Sequence, residues 1–160
     1  MTPMEPLTPM DPMTPMDLAL NEAKGAAARG EIPVGAVVTD GAGAVLAIAG
    51  NRTEAARNPA LHAEMVVLQA AATARGEKFL SDCTLTVTLE PCAMCAGAIA
   101  AFRIKKLVFG AYDPKSGGVE HGPRVFAHAT THHKPEIIGG VRDSECSALL
   151  ATFFSGLRHA

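Results

Sequence analysis

The chain is 160 residues long, 48% apolar and 19% charged, the proportions of a single globular domain with a core large enough to fold alone. Its formal net charge of −2 gives no global attraction for a nucleic acid, so any such partner must meet a local basic patch. No apolar run is long enough to span a bilayer and no basic-then-apolar leader opens the chain; four cysteines, two of them in Cys92-Ala93-Met94-Cys95, fit a reducing cytoplasm and metal ligation better than a disulfide framework.

Residues 2–19 carry an imperfect repeat: Thr-Pro-Met-Glu-Pro-Leu, Thr-Pro-Met-Asp-Pro-Met, Thr-Pro-Met-Asp-Leu-Ala. Prolines this frequent break both helix and ladder, so residues 1–15 are expected to be a disordered tail and 16–160 the folded domain. Asp17 is the expected N-cap of a helix that ends near Arg29, before Gly30. Ile32–Thr39 and Val45–Ala49 flank Asp40-Gly41-Ala42-Gly43 and predict a hairpin, and their nearly continuous apolarity predicts a sheet covered on both faces. Beyond the Asn58-Pro59 turn, Met65, Leu68 and Ala72 give Leu61–Arg75 helical periodicity, with Gly76 as the stop. Thr84–Leu89 is a third strand, Cys92–Phe102 a helix with Pro91 at its first position, and Lys106–Gly110 a fourth strand, parallel to the third through that crossover. Ala111–Lys134 reads as a long functional loop containing His121, His128, His132 and His133. Glu136–Gly140 can form a fifth strand and Ser144–Leu157 a final amphipathic helix with Leu149, Leu150, Phe153 and Phe154 on its apolar side. The expected class is α/β, a five-stranded mixed sheet between helical layers.

Chemistry concentrates at two helix starts. Cys92 and Cys95, three apart, share one helix face at its positive end, which favours thiolates, the form that binds metal. His62-Ala63-Glu64 stands where the Asn58-Pro59 turn enters the preceding helix, the one place where residues two apart can converge. With His62 as third ligand, a tetrahedral zinc keeps its fourth position for water, and Glu64 is placed to be that water's base. Taken singly, an H-x-E is most often nothing, and a C-x-x-C is as well a structural zinc knuckle or a redox pair. No second C-x-x-C exists to complete a zinc ribbon, and Cys83 and Cys146 read as small core residues.

Taken together, H-x-E and P-C-x-x-C are the signature of the zinc nucleobase deaminases. From Leu18 to Leu157 the sequence resembles the bacterial tRNA-specific adenosine deaminases of the cytidine deaminase-like superfamily, the likeness running through Pro33–Val37, Val87–Ala98, Gly110–Gly117 and Glu145–Leu150 to Phe153-Phe154. The resemblance implies a three-layer α/β/α cytidine deaminase-like fold, one Zn2+ per subunit, a cytoplasmic homodimer, and hydrolytic conversion of the wobble adenosine of a tRNA anticodon to inosine. It also implies that Asn51 hydrogen-bonds the purine and that Ala63 and Cys92 offer backbone groups at the reacting centre. Glu90 reads as a carboxylate that supports the site from behind the ligands or stands at the helix start, rather than a catalyst. One departure lies beside the site: the family pattern Asp-Pro-Thr-Ala-His-Ala-Glu is here Asn58-Pro59-Ala60-Leu61-His62-Ala63-Glu64, without the carboxylate and the hydroxyl.

In this reading Glu64 carries a proton from water to the ring nitrogen and another to the departing amine, releasing ammonia. Arg103, Lys105, Lys106, Lys115, Arg124 and Arg158 are the candidate RNA contacts for an anticodon stem-loop. Two rivals share parts of the pattern. A deaminase of a free base or nucleoside, such as guanine or cytosine, has the same zinc chemistry; a zinc-stabilised RNA-binding module needs no turnover. Asp113–Gly117 favours the tRNA substrate by resemblance, and Glu64 beside an open zinc position argues against the module.

Overall fold

The computed structural model describes residues 13–158. The expected tail over residues 1–15 therefore lies outside the described residues, apart from Met13, Thr14 and Pro15. The first helix, α1 (Pro15–Ala28), is capped by Thr14 rather than Asp17. Thr14 Oγ1 accepts the Asp17 N–H at 3.2 Å, and Asp17 Oδ2 accepts the Thr14 N–H at 2.8 Å. This reciprocal cap satisfies two free donors and leaves Pro15 where a missing N–H costs nothing, so the third Thr-Pro-Met unit starts the helix.

The remaining elements follow the expected order: β1 (Gly35–Thr39), β2 (Val45–Gly50), α2 (Ala63–Arg75), β3 (Thr84–Leu89), α3 (Ala93–Ala101), β4 (Lys106–Ala111), β5 (Glu136–Ile138) and α4 (Asp143–Arg158), with one 3-10 turn at Val125–Ala127 inside the long loop. The sheet order is β2-β1-β3-β4-β5. β1 is antiparallel to both β2 and β3, whereas β3, β4 and β5 run parallel, so the sheet is mixed as expected. Alternation along the strands builds two cores. Ala36, Val38, Leu85, Val87, Leu107 and Phe109 pack with Val67, Leu68 and Ala71 of α2 and Ala96 and Ile99 of α3. On the opposite face Val37 and Ala111 meet Met16, Ala19 and Leu20 of α1 and Cys146 of α4. Cys83 and Cys146 are both buried, as read from the sequence.

Coverage of both faces holds for β1, whose five residues are all buried, but not for β2. Val45 and Ile48 are 49% and 45% exposed, because β2 is the sheet edge and has a neighbour on one side only. At Gly35 the sheet touches α1 backbone to backbone. A Cβ there would overlap the Ala19 carbonyl and lie 2.7 Å from the Ala23 nitrogen, and neither atom can swing aside. Gly35→Ala is expected to force α1 outward at a cost of about 3 kcal/mol, seen as a melting temperature lower by roughly 6–12 °C with helix content kept.

These strand directions position the site. Asn51 after β2, Cys92 after β3 and Tyr112 after β4 all leave the sheet at the same end, where the carboxyl ends of parallel strands open a crevice.

Candidate active site

α2 and α3 both begin at this end. His62 and Cys92 are their N-caps, in extended conformations with φ −63°, ψ 154° and φ −72°, ψ 175°. Pro91 therefore precedes the cap instead of occupying the first helical position, and the C-x-x-C runs from the cap to the third helical residue, still within the turn whose N–H groups point outward. His62 Nδ1 lies 3.6 Å from Cys92 Sγ and 3.5 Å from Cys95 Sγ, and the three donor atoms are all within 4.8 Å of one another. A tetrahedral zinc with nitrogen at about 2.05 Å and sulfur at about 2.3 Å requires an N···S edge of about 3.6 Å, so these side chains can hold the ion as they stand. Two thiolates and an imidazole are also the donor chemistry that suits zinc.

The electrostatics agree. Hydrogen bonding from Cys95 and then from His62 pulls the Cys92 thiol down to about 4, while the same bond to Cys92, with burial, pushes Cys95 up. The cluster thus keeps one thiolate, and a dication supplies the field that removes the second proton. Glu64, 4% exposed, is raised to about 7 by burial, with His62, Cys92 and Cys95 its nearest polar neighbours. A carboxyl near neutrality can both accept and return a proton at physiological pH.

These residues open into a cavity of about 740 Å³, bounded by Asn51, His62, Glu64 and Cys92, by Tyr112, Asp113, Lys115 and Ser116 from the long loop, and by Leu150, Phe154 and Leu157 from α4. The buried Asn51 side chain is braced: its Oδ1 accepts the Ala63 N–H at 2.8 Å and its Nδ2 donates to the Ile32 carbonyl at 3.2 Å. Asn58, where the family pattern has Asp, closes the turn in the same manner, its Oδ1 accepting the Ala60 N–H at 2.9 Å.

The candidate RNA contacts do not form one patch. Lys115 is on the cavity wall, and Arg124 is exposed in the long loop with φ 46°. Arg103, Lys105 and Lys106 stand before or at the first residue of β4, the end of the sheet away from the cavity, where the Arg103 guanidinium lies 5.4 Å from the Phe79 ring centre. Arg158 is the last residue of α4, and its side chain is outside the described set.

Two features of the site were not read from the sequence. Glu31 is wholly buried and accepts the N–H groups of Glu54 at 2.8 Å and Ala55 at 3.0 Å, fixing the loop that carries Thr53 on the cavity wall. A carboxylate two residues before Pro33 was the available signal, since a charged side chain in an apolar run needs partners. The second is α4: Leu150, Phe154 and Leu157, spaced four and three apart, form a stripe on the cavity beside the stripe that packs on the sheet.

Residues 11–111 match the cytidine and deoxycytidylate deaminase zinc-binding region. A tRNA-specific adenosine deaminase of Agrobacterium fabrum is 47% identical over 86% of this chain and 90% of its own length. One from Bacillus subtilis is 42% identical over 88% of this chain and 86% of its own. A structure solved in a study of A-to-I editing by tRNA:A34 deaminases at the wobble position superposes with a TM-score of 0.83 at 46% identity, covering 85% of this chain and 98% of that one. With the three-layer fold, the His/Cys/Cys donor set and this identity over nearly the whole chain in agreement, the chain belongs to the zinc-dependent tRNA-specific adenosine deaminases of the cytidine and deoxycytidylate deaminase family.

Proposed function

We propose that the chain hydrolyses the wobble adenosine of a tRNA anticodon to inosine, consuming water and releasing ammonia. One observation carries the reading: a buried carboxyl, Glu64, stands beside the His62, Cys92 and Cys95 donors in a cavity that admits a base. Zinc, when bound by those three side chains, supplies an activated water at neutral pH. Glu64 takes a proton from the attacking water, delivers it to the ring nitrogen beside C6, and passes the second proton to the departing amine. The Asn51 amide, oriented by the Ala63 N–H, donates to the purine, while Ile32, Leu150 and Phe154 offer it apolar surface. A base in an anticodon loop is already single-stranded and cheap to extrude into such a pocket.

Purified protein offered an anticodon stem-loop with wobble adenosine, free adenosine, guanine and cytosine should release ammonia from the stem-loop, with inosine appearing in step. Release from guanine alone would assign the chain to free-base deamination. Lys115, beside the cavity, is the first candidate for a phosphate contact and Arg124, exposed in the same loop, the second, whereas Arg103, Lys105 and Lys106 stand at the opposite end of the sheet. Each phosphate neutralised on a single strand contributes a slope of about −0.7 to log K against log salt, so three contacts give about −2 in a titration of stem-loop binding. A flat dependence would point to a small uncharged substrate.

The deaminase domain is assigned to residues 14–160, two residues earlier than the sequence reading, because Thr14 and Pro15 belong to the start of α1. We also assign a cytoplasmic homodimer. All four cysteines are free, no described helix is long and apolar enough to cross a membrane, and Met94 of α3 and Phe79 leave apolar surface 40% and 41% exposed on the α2–α3 layer. Sedimentation equilibrium should give twice the chain mass of 16.6 kDa.

A further inference from the structure

We propose that Glu90 is a positioning residue that holds the loop wall of the substrate cavity by binding its backbone. The Glu90 side chain is 1% exposed. Its Oε1 accepts the Asp113 N–H at 3.0 Å and bonds His121 Nδ1 at 2.8 Å; its Oε2 accepts the N–H groups of Val119 at 3.2 Å, Glu120 at 2.9 Å and His121 at 3.1 Å. Every lone-pair direction of the carboxylate is occupied, which leaves no capacity to shuttle a proton. Of the two supporting roles read from the sequence, the helix start is not the one it fills, since none of its partners belongs to α3; it braces the site from behind the ligands. What it does is close the segment Asp113–His121 into a loop around itself, with one oxygen near each end.

The packing around this anchor is tight. A Cβ on Gly117 would overlap Glu90 Oε2 and sit 2.5 Å from the Asp113 carbonyl, and one on Gly118 would sit 2.6 Å from the Ala93 nitrogen. Gly118 N–H also donates to the Pro91 carbonyl at 2.8 Å, pinning the loop to the residue before the Cys92 ligand. Tyr112, Asp113, Lys115 and Ser116, the part of this loop that faces the cavity, are thereby held at a fixed distance from His62 and Cys92. Replacing one carboxylate oxygen by an amide NH2 leaves a single acceptor oxygen for the N–H groups of Asp113, Val119, Glu120 and His121, and those it cannot serve are satisfied only if the loop opens toward water.

This inference rests on the cavity being the RNA base site, and its test separates the two. Zinc-loaded Glu90→Gln is compared with the unaltered chain for zinc content, for amide hydrogen exchange, and for kinetics on the wobble-adenosine stem-loop. The expected result is one zinc per chain, unchanged protection in β3 and α3, loss of protection at Val119, Glu120 and His121, and a KM for RNA higher by about 10–100-fold with kcat changed much less. Gly117→Ala keeps the carboxylate and crowds the loop off it, and should give the same exchange and KM pattern if Glu90→Gln fails to fold. Retained protection at residues 119–121, an unchanged KM, or loss of zinc in proportion to the rise in KM would overturn the assignment. Should the unaltered chain prove inactive on wobble adenosine, the reaction assigned above fails while the exchange measurement still decides the anchor.

Discussion

Glu64→Gln is expected to yield a folded chain that still binds one zinc and converts wobble adenosine slower by roughly 10²–10⁴-fold or more. Glutamine fills the same buried volume, and replacing a carboxyl that is only 4% exposed by a neutral amide removes a desolvation penalty, so stability should hold or rise. What is lost is the ability to accept one proton and return it. Single-turnover inosine formation with zinc measured on the same sample is the decisive assay. Near-normal turnover with zinc retained would mean that the proton carrier is another group. Glu64→Asp, which withdraws the carboxylate by one methylene, should fall between the two because proton transfer depends steeply on reach.

The second large effect is expected at the ligands. Cys95→Ala removes a buried donor at the third residue of α3 and should abolish stoichiometric zinc and activity together. It should also lower stability, because an ion that binds only the folded chain stabilises it by about 4 kcal/mol at a thousandfold excess over its dissociation constant. That corresponds to a melting temperature lower by roughly 8–16 °C, and chelation of the unaltered protein should reproduce the shift. Cys83→Ala is the control. Cys83 is equally buried but lies before β3, at the end of the sheet away from the cavity, where it accepts a hydrogen bond from Arg75 at 3.0 Å, so its removal should leave zinc in place. Full zinc content in Cys95→Ala would disprove the donor set.

The elements legible in the sequence were those with strong periodicity or punctuation. α2 could be read from Met65, Leu68 and Ala72 with Gly76 at its end, and β3, α3 and β4 from the switch between alternating and small-residue patterns. The ligands were legible because metal chemistry restricts residue type and spacing so narrowly that His62, Cys92 and Cys95 stand out without coordinates. Helix starts were less legible. Thr14 displaced Asp17 as a cap because two reciprocal bonds outweigh one, and Cys92 is itself the cap of α3 although Pro91 was expected to be the first helical residue. The exposure of β2 was hidden because Val45 and Ile48 look the same in an edge strand and a central one. Least legible were Glu31 and the partners of Glu90. A carboxylate that binds backbone N–H groups leaves no trace in the side chains of the segment it holds.

That blindness to side chains has a practical reverse. An anchor that grips main-chain donors and, among side chains, the His121 ring does not care what Pro114, Lys115 and Ser116 are, provided that His121, the glycines at 117 and 118 and the path of the backbone survive. Metal chemistry and cavity lining are thus built from residues two apart, Cys92 and Glu90, yet can vary independently. Libraries randomised at positions 114–116 should retain zinc and the Glu64 chemistry while sampling new nucleotide contexts, which makes this loop the natural place to redirect the enzyme toward other strands.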